Sequence, residues 1–200
     1  MISSRHAFLL SLAICCFTEL PAQNDSVFNG STISSFRLYN TTEDKSICLP
    51  EQKTGKLFSL FIFLSPECPL CQDYLSLFNS LQEKYETKIA FYGIVPGRAY
   101  PATVIKEFAS EYQVRYPLLI DSLKSLTSYL HATVTPQVIL LDNKNTLVYK
   151  GAVDDLLMGL GKRRVKVVNE YLKNAIAQSL ENKMVTVKRT KAVGCKINDY

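Results

Sequence analysis

The stretch SPECPLCQDY, residues 65–74, sets two thiols three positions apart with a proline between them, directly after the apolar run LFSLFIFL. Such a pair can close a disulfide, bind a metal or exchange its disulfide with another molecule. The flanking sequence favours exchange. A helix that starts just after a buried strand turns its unpaired N–H groups and the positive end of its dipole toward its first residues, which favours a thiolate there. Cys68 stands at that point, and Cys71, one turn further in, is shielded. Pro69 suits the first turn because it lacks an N–H that would have no partner there, and its φ is already helical. Cys68 is then the thiol that attacks a partner disulfide and Cys71 the one that resolves the mixed disulfide. A structural zinc needs four ligands. Beyond residue 22 the chain offers no second close cysteine pair and only His131, so zinc ranks well below redox chemistry.

Elements that could hold the pair in place follow from hydrophobic periodicity. KLFSLFIFL reads as a buried central strand. From Cys71 to Tyr85 the residues Cys71, Tyr74, Leu75, Phe78, Leu81 and Tyr85 recur at spacings of three and four, one stripe of an amphipathic helix. Upstream, FRLYNT and ICLPE suggest a short hairpin or an extended entry segment. Downstream, KIAFYGIVPG predicts a strand, PATVIKEFASEYQV a helix with Pro101 in its first turn, YPLLID a strand and SLKSLTSYLHA a helix. PQVILLD and TLVYKGAV predict two antiparallel strands joined by NKN, and VKVVNEYLKNAIAQSL predicts a last helix. This alternation predicts an α/β sheet with helices on both faces. Asp154 and Asp155 after the last strand read as a polar turn leading to a helix.

The 200 residues, 47% of them hydrophobic, suffice for one core. Residues 1–22 carry Arg5 and His6, then the apolar run Ala7–Phe17 and the small Ala22, which is the pattern of a secretory signal peptide. Cys15 and Cys16 end that run, but Ile14 stands where a lipid-anchor signal needs a small residue, so membrane association would come only through an uncleaved or lipidated N-terminus. Removing residues 1–22 leaves Cys48, Cys68, Cys71 and Cys195, an even number in a compartment where disulfides persist. Four cysteines allow three pairings. The favoured one adds a structural bridge between Cys48 and Cys195, contributing about 2–4 kcal/mol by restricting the unfolded chain. In the alternative, Cys195 is a mobile relay thiol or a link to another protein. The chain's net charge is +5, and its positive excess lies wholly in residues 161–200, with ten Lys or Arg against three acids, while residues 23–160 hold twelve against fourteen. A solvated basic face accounts for clusters such as GKRR (161–164), and no pattern for reading nucleic acid is present. The expected division is a signal peptide (1–22), one α/β domain (23–180) and an extended basic tail (181–200).

The segments FIFLSPECPLC, YGIVPG, YPLLID and ATVTPQVILLDNKNTLVYKG together resemble the thioredoxin-like superfamily, in particular its secreted redoxin branch, which includes alkyl hydroperoxide reductase relatives. The resemblance implies a thioredoxin-like fold, a central mixed sheet flanked by helices, with the branch's extra strand and helix at residues 89–116. It also implies a cis Thr135–Pro136 bond facing the cysteines, with Thr135 and Pro136 shaping a groove where substrate adds as a strand. The implied function is a periplasmic thiol-disulfide oxidoreductase, working without cofactor or resident metal on protein dithiols or disulfides and fed by a redox donor or acceptor protein. Departures from the pattern are specific. Glu67 replaces a tryptophan, and Ile62 stands near where thioredoxins bury a proton-shuttling aspartate, leaving water or Asp73 to deprotonate Cys71. The rivals are a thiol peroxidase, for which Ser65 fits but Phe61 occupies the expected proline position, a Cu(I)-binding protein using His131, and a non-catalytic module with a permanently oxidised pair.

Overall fold

The computed structural model describes residues 36–49, 55–159 and 161–197; the expected signal peptide, with Cys15 and Cys16, lies outside them. In chain order, β1 (Arg37–Asn40) and β2 (Lys45–Cys48) form a hairpin, and β3 (Phe58–Phe63) leads to α1 (Pro69–Tyr85). Next come β4 (Ile89–Pro96), α2 (Ala102–Glu111), β5 (Leu118–Asp121) and α3 (Ser125–Tyr129). The short β6 (Val134–Thr135) turns at once into β7 (Gln137–Asp142), followed by β8 (Leu147–Gly151). A small ribbon of β9 (Leu157–Gly159) and β10 (Lys162–Arg163), then α4 (Tyr171–Leu180) and β11 (Cys195–Lys196), complete the order.

Seven strands form one mixed sheet in the order β2-β1-β5-β4-β3-β7-β8. β3, β4 and β5 run parallel, with β7 antiparallel to β3 and β8 antiparallel to β7. The unbroken apolar run of β3 has its reason here, because a central strand is buried on both faces. Leu60 and Ile62 pack with Cys71, Phe78 and Leu172 on one face, while Phe61 and Phe63 pack with Leu126 and Leu130 on the other. The predicted stripe of α1 is buried at Cys71, Tyr74, Leu75, Phe78 and Leu81. The extra strand and helix at residues 89–116 are β4 and α2.

Three helix boundaries differ from the sequence expectation, and each has a local cause. Pro101 is the N-cap of α2, with extended backbone (φ −67°, ψ 158°), and does not belong to its first turn. α3 is shorter than SLKSLTSYLHA because His131, just past it, takes the left-handed φ of 51°. α4 begins only at Tyr171 because the Asp155 carboxylate accepts the N–H groups of Val168 and Asn169, at 2.8 and 3.0 Å, and holds those residues in a loop. The Asn169 N–H, with the other donors, lowers the Asp155 carboxyl to about 2. Asp154 is buried as well, accepting the Tyr74 hydroxyl at 2.5 Å and the Leu156 N–H at 2.9 Å. The acid pair therefore builds the turn expected of it.

The chain after α4 returns across the domain to β8. Lys150 donates its N–H to the Lys188 carbonyl at 2.9 Å, and Thr190 donates its own to Lys150 at 3.0 Å. This parallel contact covers the otherwise open edge at β8. The Thr190 hydroxyl accepts the Ala152 N–H at 2.9 Å and shares a 2.6 Å hydrogen bond with the Tyr149 hydroxyl. Gly151 makes the contact possible: its φ is 151°, and a Cβ there would strike the Thr190 backbone. Gly151→Ala is accordingly expected to destabilise the protein by about 2 kcal/mol or more, read as a lower urea midpoint; an unchanged midpoint would show that the 188–190 anchor contributes nothing.

Candidate active site

Strand pairing brings the two motifs together. The C-terminal end of β3 lies opposite the start of β7, Phe63 against Gln137, so the loop carrying Cys68 meets the residues just before β7. Cys68 is the N-cap of α1, with φ −85° and ψ 110°, and Pro69 follows at the start of the helix. Its carbonyl accepts the N–H groups of Cys71 and Gln72 at 2.9 and 3.2 Å. The Thr135–Pro136 bond is cis. The Thr135 carbonyl oxygen lies 3.3 Å from Cys68 Sγ, a distance at which the reduced thiol would donate a hydrogen bond to it.

Cys68 is bonded to Cys195, 127 residues away, with the two Cα atoms 6.4 Å apart. This corrects the expected Cys48–Cys195 bridge. Cys48 is a free, exposed thiol on β2, the edge strand at one end of the sheet, whereas β11 pairs with β6 beside the active-site end of β7. Among the described residues Cys71 is the other free cysteine, fully buried behind Cys68. Burial pushes its thiol up to about 11, opposed by the Ser65 backbone and the Thr135 hydroxyl, which hydrogen-bond to the sulfur.

The remaining predicted residues separate by position. Ile62 is fully buried in the core cluster that contains both site cysteines, so an apolar side chain stands on β3 where a proton shuttle was sought. Asp73 does not replace it: the carboxylate accepts a 2.7 Å hydrogen bond from Arg163 on the surface. Arg164 lies 3.4 Å from Asp155, so half of the GKRR cluster serves internal ion pairs. Glu67 accepts the Tyr100 hydroxyl at 3.3 Å, and Tyr100 in turn accepts the Ser65 hydroxyl at 3.1 Å. Phe61 stacks on Tyr92 in the core of the opposite face, centroids 5.5 Å apart. His131 is exposed, and among the described residues no group of three His, Cys, Asp or Glu side chains forms a metal-ligand set. A cavity of about 350 Å³ opens beside the disulfide, with Ser65, Arg98, Tyr100, Thr135 and Cys195 in its walls.

Sequence reasoning placed Cys68, Cys71 and the Thr135–Pro136 turn but did not bring Cys195 to them. The one signal pointing there was the alternative of a relay thiol in the tail. Tyr100 was missed for want of any motif, since it reaches Ser65 only through the loop between β4 and α2.

Comparison with known proteins agrees with this architecture. The AhpC/TSA family model matches residues 30–150. The thiol-disulfide oxidoreductase YkuV of Bacillus subtilis is 26% identical over 123 residues, 60% of this chain and 83% of that protein. Among solved structures, an uncharacterised conserved protein from Geobacillus kaustophilus superposes with a TM-score of 0.72 at 23% identity, covering 82% of this chain and 88% of its own. A hypothetical protein from Sinorhizobium meliloti does so with 0.71 at 25%, covering 81% and 89%. A thioredoxin-like protein from Aeropyrum pernix shares the fold at 20% identity and a TM-score of 0.50, covering 60% and 83%. With a thioredoxin-like mixed sheet, a cysteine pair at the head of its first long helix and a family match over more than half its length, the chain belongs to the AhpC/TSA family as a redoxin-type oxidoreductase.

Proposed function

We propose that the protein is an extracytoplasmic thiol-disulfide oxidoreductase acting on protein partners through Cys68 and Cys71. The observation that carries this reading is the sulfur of Cys68, set at the head of α1, facing the carbonyl of Thr135 and bonded to a cysteine on an extended strand. A partner cysteine on an added strand would meet Cys68 in the same way. In the reducing direction the Cys68 thiolate attacks one sulfur of a partner disulfide and expels the other as a thiolate, which takes up a proton. The Cys71 thiolate then attacks Cys68 Sγ, closing Cys68–Cys71 and releasing the partner's second thiolate. The partner has gained two electrons and the pair has lost them, so a redox donor protein must return them; running the steps backward oxidises a dithiol. The signal-like residues 1–22 support an extracytoplasmic, periplasmic site of action.

The test is a redox titration of the purified protein in thiol buffers with alkylation and mass readout, beside assays of insulin-disulfide reduction and of peroxide consumption. The expected result is a two-electron transition of the site cysteines between about −270 and −120 mV, together with saturable insulin reduction. Peroxide consumption with protein disulfides untouched would replace this reading with a thiol peroxidase. Site cysteines that never titrate would make the domain a binding scaffold.

A further inference from the structure

We propose that the C-terminal segment is a tethered occupant of the substrate groove and that Cys195 is a third redox thiol, released from Cys68 by Cys71. The inference rests on the exchange reading and deepens it. Three independent features support it. First, β11 adds antiparallel to β6 with Cys195 opposite Thr135 and Lys196 opposite Val134, and Ile197 donates its N–H to the Thr133 carbonyl at 3.0 Å. That is the backbone edge a partner strand would need, so the tail holds the place of a substrate. Second, Gly194 lets the tail come this close, because a Cβ there would run into the carbonyl of Thr135 and the nitrogen of Pro136. Third, the tail is held separately at Lys188 and Thr190 on β8. The thiol at position 195 therefore hangs from an anchor five residues away. It stays near Cys68 at high effective concentration even when the bond between them is open.

Release needs no external oxidant or reductant. The Cys71 thiolate attacks Cys68 Sγ, the Cys68–Cys195 bond breaks, Cys195 departs as a thiolate and takes up a proton, and Cys68–Cys71 forms. One disulfide is present before and after. The oxidised protein is thus partitioned between a closed form, with Cys68–Cys195 and the groove filled, and an open form, with Cys68–Cys71 and the groove free. The cavity bounded by Ser65, Arg98, Tyr100 and Cys195 lies directly beside the groove that the tail would vacate in the open form. Partners must compete with the tail, so it sets the threshold at which oxidised protein engages them.

The experiment maps disulfides by acid quench, alkylation and peptide mass in the oxidised full chain, in Gly194→Val, which keeps every thiol, and in Cys195→Ser. The wild type is expected to yield both Cys68–Cys195 and Cys68–Cys71 links in a ratio independent of protein concentration. Gly194→Val should lower the Cys68–Cys195 fraction by about tenfold, and Cys195→Ser should lower the KM for a reduced protein partner several-fold by clearing the groove. Absence of the Cys68–Cys195 link at every potential, or an unchanged fraction in Gly194→Val, would overturn the proposal. Should Cys195→Ser still form Cys68–Cys71 and exchange with insulin in that case, the tail inference alone falls. Failure of Cys195→Ser to form the pair or to exchange would remove the exchange reading and this inference with it.

Discussion

Cys68→Ser is expected to lower protein-disulfide turnover by at least about 10³-fold, the largest effect of any single substitution. The serine hydroxyl is nearly isosteric, and the side chain lies almost wholly buried at the head of α1, so the local packing persists. What disappears is the attacking thiolate, since a hydroxyl does not ionise near neutral pH and does not displace a thiolate from sulfur. Cys71 does not take over, being fully buried behind Cys68 with its thiol pushed up to about 11. Turnover within tenfold of the wild type would refute the assignment of Cys68. Cys71→Ser should instead arrest the reaction at the mixed disulfide, and here the tail changes the outcome. With Cys195 present the arrested bond is largely Cys68–Cys195 inside the molecule. The doubly substituted Cys71→Ser, Cys195→Ser protein is the one expected to retain partners covalently.

Much of this site was legible in the sequence because its cues are local. Pro69 after Cys68, the three-and-four stripe from Cys71 to Leu81 and the apolar run of β3 each report an environment fixed by neighbours within a few residues. The turn at Thr135–Pro136 was legible only through the family resemblance, since nothing in the residues VTPQ by themselves distinguishes it from a proline that starts a strand. The position of Cys195 was not legible for a different reason. The tail's course depends on Thr190 meeting Gly151 and on Gly194 meeting Thr135, contacts across 39 and 59 positions that leave no periodic mark. The bridge favoured from sequence assigned Cys195 to Cys48, which the hairpin of β1 and β2 carries to the opposite edge of the sheet. The shortened α4 has a similar cause: its helical pattern is intact, and a distant carboxylate, Asp155, overrides it by binding Val168 and Asn169.

Release of whatever is bonded to Cys68 should accelerate about tenfold per pH unit between pH 7 and 10 and level off above about 11. Cys71 must be a thiolate to attack, and burial raises its thiol to about 11 against an ordinary value of 9.0. Below that pH the reactive fraction grows in proportion to hydroxide. Thioredoxins relieve such a thiol with a buried carboxylate, but Ile62 offers no base here and Asp73 is turned to Arg163. The Thr135 hydroxyl gives partial relief by hydrogen-bonding to the Cys71 sulfur. Thr135→Val should therefore slow release a few-fold at every pH below the plateau while leaving its slope unchanged. The same shift has a stability consequence whose sign is fixed. The folded state favours the neutral thiol, so its contribution is full below pH 9 and is lost as pH rises toward 11, by roughly 3 kcal/mol. The measurement is a single-turnover release of the Cys195 tail, followed by acid quench and alkylation between pH 7 and 9, where this loss has not begun. A rate that stays flat across that range would mean that Cys71 is not the thiol that opens the bond.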